Sequence, residues 1–263
     1  MANFRILVGA GNRPAPLIVR RIGPADLKSV LAKGIEDFVA MPSHVVFLSL
    51  IYPIVGVLLA RMTFGNDLIH LLFPLTAGFA LIGPFAAIGL YEMSRRREAG
   101  LNTSWKHAFD VLGTPSIRAV AVLAFLLIVI FVCWLAVAHW LYHFVGFGAP
   151  ESPTIFIRNL LTTSSGHKLL LVGSAIGLLF GIVVLTTSVV AFPLLLDRNV
   201  GAATAVATSI RAVLANPVTM TLWGSIVVAA LVIGSLPFFV GLAVVMPVLG
   251  HATWHLYRRV VGP

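Results

Sequence analysis

The chain has 263 residues, 59% apolar and 10% charged, with a formal net charge of +9 and a mean hydropathy of +1.01. Soluble domains carry about a quarter charged residues, so a mostly water-facing surface is excluded, and the apolar residues fall in blocks long enough to cross a bilayer. The positive charge is no nucleic-acid footprint either, because the basic residues stand beside apolar runs and are not interleaved with aromatics on a polar face.

Residues 1–24, broken by Gly11, Pro14, Pro16 and Pro24, read as an irregular cytoplasmic arm. Its apolar run RILVGA is too short for a cleavable signal. ADLKSVLAKGIEDFVAM follows, with Leu27, Val30, Leu31, Ile35, Phe38 and Val39 at helical spacing. This predicts an amphipathic helix along the membrane surface or under the bundle, ended by Pro42. A first span is expected over about 45–62 and a second over 68–91, joined by the polar turn Gly65-Asn66-Asp67. LNTSWKHAFDVLG then forms a second surface helix with Trp105, Ala108, Phe109 and Leu112 on one face, stopped by Gly113 and Pro115.

The third span is expected over 119–141, and the long connection after it contains a short helical piece, IFIRNLL. The fourth covers 169–196 and ends at Asp197-Arg198-Asn199, after which GAATAVATSIRAVLAN makes a third surface helix up to Pro217. The apolar run from Val218 to Leu256 is too long for one crossing at a rise of about 1.5 Å per residue. A turn at Gly234-Ser235-Leu236-Pro237 divides it into spans over 218–235 and 237–257.

The expected architecture is therefore an all-α polytopic bundle over residues 25–259. It has about six transmembrane helices in three two-span units, with amphipathic surface helices on the inner face. Pro42, Pro115 and Pro217 hold equivalent places after the surface helices, and Glu92 and Asp197 after the second and fourth spans. Six spans put both ends on one side. Fifteen Lys and Arg then fall on the inner segments against Arg61, Arg158 and Lys168 outside, which predicts an N-in, C-in protein of a bacterial inner membrane. The single Cys133 lies within an apolar run and has no disulfide partner.

Few residues invite chemistry. Glu92 stands at an apolar helix end with Arg95 and Arg96 at pairing distance, and Asp197 adjoins Arg198 in the equivalent place. These four positions and Glu92 itself are ion-pair or ligand candidates, and the arginines suit anionic lipid headgroups. His251 and His255 share a helix face, with Glu92 as a conceivable third metal ligand. Ala252 stands where a metalloprotease needs glutamate, so that reading fails. His139 and His143 repeat the spacing at the outer end of the third span, with His70 and His167 on the same side. For both pairs the plainer reading is an interfacial helix end among Trp and Tyr. Phosphate loop, dinucleotide fingerprint, nucleophile elbow and cysteine-pair metal site are all missing, so the sequence leans away from an enzyme.

At GFALIGPFAAIGLYEMSRRREAG and PVLGHATWHLYRR the chain resembles a bacterial family of integral membrane proteins known as domain of unknown function 2189. The resemblance runs from about Ile22 to Arg259 and carries no activity with it. Some relatives are labelled cytochrome c oxidase subunit I, but that subunit has about twelve spans with deeply placed haem histidines, whereas these histidines lie at span ends. Three functions follow as expectations: a non-catalytic structural, accessory or assembly component of a membrane complex, respiratory complexes included; a small-solute transporter or channel; or a metal- or haem-handling protein. The first is preferred, with no cofactor expected and no nucleic-acid partner. Small residues (Gly173, Ser174, Gly177, Gly181) suit close helix packing, and span centres almost free of charge argue against an ion path.

Overall fold

The computed structural model describes residues 17–41, 56, 83–84, 87–147, 153–236 and 240–262. The expected first span and most of the second lie outside the described residues. The protein is an all-helical membrane bundle. Among the described residues its extended backbone is limited to one antiparallel bridge, Val19 with Val261. Three stretches there are long and apolar enough to cross a membrane: Ile117–Phe144, Ser164–Asp197 and Pro217–Ser235.

In chain order the helices are α1 (Pro24–Ala40), α2 (Ile88–Glu98), a 3-10 helix (Trp105–Gly113), α3 (Ile117–Phe144), α4 (Pro153–Thr162), α5 (Ser164–Ser188), α6 (Ala191–Asp197), α7 (Ala202–Ala215), α8 (Pro217–Ser235) and α9 (Leu242–Val260). The second surface helix is thus a 3-10 helix rather than an α-helix. The apolar run of the fourth span is broken after Ser188 and resumes as the short α6, whose residues Ala191 to Leu195 are all buried. The end of the fourth span therefore lies inside protein. α2 stops in a Schellman motif: Gly100 takes φ +67, Leu101 N–H donates to Arg96 O at 2.8 Å and Gly100 N–H to Arg97 O at 3.1 Å.

The chain divides into two compact units, one of residues 1–53, 84–124 and 185–263, the other of 54–83 and 125–184. In the second unit Trp134 of α3 lies over Gly177 of α5, where an added Cβ would come within 3.0 Å of the indole, and stacks obliquely on Phe180 at 5.5 Å. Tyr142, Phe147 and Phe156 form an aromatic cluster that ties α4 back to the end of α3. Most of the apolar surface of α3 is exposed, including Phe125, Ile128 and Val132, as lipid contact requires.

The first unit is organised by three short helix ends in mutual contact, α2, α6 and α9. Each has a surface companion: the 3-10 helix packs on α2, α7 on α6, and α1 on α9. The first two companions directly follow the helix they pack on. The third pairing joins the first helix described to the last, so the three pairings close into a cycle.

The described part of the segment before α1 is irregular apart from the Val19 bridge and is held by hydrogen bonds. Asn216, buried at the N-terminus of α8, accepts from Ile22 N–H at 2.7 Å and donates to Arg20 O at 3.0 Å, while Thr219 donates to Ile22 O at 2.9 Å. Arg20 N–H reaches Val260 O at 2.7 Å. Asn216→Ala removes the side-chain partner of three backbone groups, Ile22 N–H, Arg20 O and Ala212 O, an expected loss of about 1–3 kcal/mol. Hydrogen exchange checks it: protection at Ile22 falls, whereas α3 and α5 keep theirs.

Candidate functional site: a buried polar clasp

The burial pattern of α1 explains where the polar residues meet. Leu27, Val30, Gly34 and Asp37 recur at helical spacing and are all buried against α9, so a carboxylate ends an otherwise apolar stripe. Opposite it, α2 supplies Ser94 and Arg97, one turn apart, and α9 supplies His251 and His255. The fit is close because Gly34 faces the α9 backbone and Gly250 faces Leu90, each with no room for a Cβ.

Asp37 is the hub. Its Oδ2 accepts from Ser94 Oγ at 2.6 Å and from His255 Nε2 at 2.9 Å, and its Oδ1 accepts from Arg97 Nη1. Burial alone would raise its pKa; the hydrogen bonds from His255, Ser94 and Arg97 outweigh burial and hold it lowered to about 2. His251 Nδ1 meets the same Ser94 Oγ at 2.6 Å. A hydroxyl has one hydrogen, and Ser94 gives it to Asp37, so His251 carries its hydrogen on Nδ1 and donates it to Ser94. Nε2 of His251 is then a bare lone pair, fully buried and without a hydrogen-bond partner, with the Leu90 backbone beside the ring.

Serine, histidine and aspartate in one cluster invite comparison with a nucleophilic triad, and the connectivity rules it out. A nucleophile needs its hydroxyl hydrogen-bonded to a basic imidazole nitrogen and open to substrate. Here the hydroxyl donates to the carboxylate, the imidazole donates to the hydroxyl, and Ser94 is 0% exposed.

The other candidate residues fall into separate pairs. Glu92, buried, accepts from Arg95 through Nε and Nη2, both at 2.7 Å, and from Arg96 Nε at 3.0 Å. Arg96 continues to Asp110 at 2.7 Å, which also meets His107. Asp197 accepts from Tyr257 OH at 2.6 Å and lies 3.7 Å from Arg198 and 3.5 Å from Arg258. Arg258 and Trp254 both reach Glu98. Glu92 therefore stands with arginines, and the acid that His251 and His255 share is Asp37, one of them through Ser94. No group of three or more His, Cys, Asp or Glu arranged for a metal occurs among the described residues. His139 and His143 are in edge-to-face contact at 4.6 Å, His167 lies 2.8 Å from Leu161 O, and His70 is outside the described residues.

A family profile described as predicted integral membrane protein (DUF2189) matches residues 72–197, a little under half of the chain. That stretch holds Glu92, Ser94 and the three arginines but neither Asp37 nor the α9 histidines. No curated protein and no solved structure matches the chain.

Proposed function

We propose that this integral membrane protein is a non-catalytic structural or accessory component of a larger membrane complex, in a bacterial inner membrane with both ends inside. One observation carries the reading: the acids at the polar helix ends are consumed by partners within the chain. Asp37, Glu98 and Asp197 each hold two or more donors from other helices, and Glu92 is held by Arg95 and Arg96 of its own helix. A transport path or an acid–base site needs a titratable group facing a cavity or a substrate; these groups are taken up by ion pairs and hydrogen bonds within the chain instead.

Purification from native membranes in mild detergent, with mass spectrometry of the bound proteins, tests the reading. Stoichiometric subunits of one complex are the expected result. A protein that purifies alone at full recovery overturns it.

A second reading, metal handling, is favoured by the buried lone pair on His251 Nε2. It predicts stoichiometric copper or zinc in the same sample, lost in His251→Gln. A metal-free preparation removes it.

A further inference from the structure

The three surface helices leave apolar side chains uncovered at one repeated position. Val39 of α1 is 66% exposed, Leu112 of the 3-10 helix 66% and Leu214 of α7 71%. Each stands three residues before a proline, Pro42, Pro115 or Pro217, and the last of these is the first residue of α8. On the α7–α8 corner Leu214 is followed four residues later by Val218, 72% exposed, so the apolar surface passes unbroken from the surface helix onto the span. The same helices and the start of α3 carry exposed cations: Lys28, Lys33, Lys106, Arg118 and Arg211. Lys28, Lys33, Lys106 and Arg118 make no ion pair among the described residues.

We propose that the three surface helices lie in the headgroup boundary of an anionic bilayer, with Val39, Leu112 and Leu214 as equivalent anchors in the acyl region and the neighbouring Lys and Arg on lipid phosphates. Isolated apolar residues mean little on a soluble surface, but three at matching places before a proline, two of them leading into the lipid-crossing α3 and α8 and all with cations on the same or the adjoining helix, describe the amphipathic face of an interfacial helix. Such a face sits about 5–10 Å into the headgroup and acyl boundary. A protein partner would have to reach three separate helices; one bilayer surface meets all of them. The inference does not depend on the accessory role, because it concerns lipid and requires no complex.

Nitroxide labels test it on the full chain in lipid nanodiscs. Cys133, exposed on α3, is first replaced by alanine, and single cysteines are placed at Val39, Leu112 and Leu214, with Ala99→Cys, exposed at the C-terminal cap of α2, as the reference. The expected result is a several-fold higher ratio of oxygen to nickel-chelate accessibility at all three positions than at the reference. Water-like accessibility at any one overturns the proposal, and so does a label shielded from both relaxers, which would mean protein covers the site. A second measurement uses the unlabelled chain: spin-labelled phosphatidylglycerol should be enriched over phosphatidylcholine in the motionally restricted lipid. The enrichment should fall towards unity in Lys33→Glu/Lys106→Glu/Arg211→Glu. Equal association of the two lipids with the parent chain refutes the phosphate contacts.

Discussion

Asp37→Ala is expected to cost about 3–5 kcal/mol, the range for removing one partner of a buried charged pair. The carboxylate is the common acceptor for α2 and α9, so its loss leaves Ser94 and His255 with donors that face no acceptor. Arg97 is 40% exposed and can turn to water, which places the expectation near the lower end of the range. Ser94→Ala removes only the bridge to His251 and should cost less, about 1–3 kcal/mol. Thermal melts in one detergent order the two variants; equal melting temperatures would mean that the clasp is not what joins α1 to the bundle. The same melts carry a pH signature. The folded-state pKa of Asp37 is lowered from 3.8 to about 2, so its contribution is fully present above 3.8 and is lost as pH falls from there through about 2. Asp37→Asn should lack that acid-dependent step.

Gly34→Ala is expected to destabilise despite the better helix propensity of alanine, which is worth about 1 kcal/mol. The added Cβ would lie 2.7 Å from Ala252 Cβ and 2.8 Å from both Ala252 N and Val248 O. Two of those three atoms are α9 backbone and cannot rotate away. Relief requires α1 to shift off α9, and Asp37 lies three residues along the same face, so the shift also stretches its hydrogen bonds. Overpacking of this kind costs about 1–3 kcal/mol. Ala252→Gly in the same chain should restore only part of the loss, since the backbone clashes remain. Gly181, a helical glycine with open space around its Cβ position, is the control: Gly181→Ala should leave the melting temperature unchanged or raise it. A Gly34→Ala protein as stable as the parent would disprove the close approach.

Composition and apolar run length were enough to read a helical membrane protein, because lipid leaves the backbone few alternatives. The run that ends at Asp197 shows the limit. Hydropathy registers only that Ala191 to Leu195 avoid water; whether lipid or protein covers them depends on tertiary contacts. On α1 the apolar pattern put Ile35 and Val39 together with Leu27 and Val30 on one apolar face. The structure leaves Ile35 and Val39 50% and 66% exposed and buries Gly34 and Asp37 instead. A glycine and an aspartate carry no hydrophobic signal, so the clasp had none in a single sequence. Ser94, two residues from Glu92, was hidden for the same reason. The Glu92 pair with Arg95 and Arg96 was legible because both partners lie within one helical turn. Sequence separations of 57 from Asp37 to Ser94 and 218 from Asp37 to His255 made the hub invisible to local spacing.

The cyclic pairing of surface helices on helix ends sets an order of events during synthesis. Among the described helices α1 emerges from the ribosome first and its packing partner α9 last. Until then Asp37 can meet Ser94 and Arg97 but not His255, and Leu27 and Val30 have no α9 to cover them. The fold thus withholds its first element from a finished contact until its last has been made. Nascent chains stopped before Leu242 should be cleared by membrane proteases faster in pulse-chase than full-length chains, and full-length Asp37→Ala, which keeps the α9 cover on Leu27 and Val30, should have a lifetime between the two.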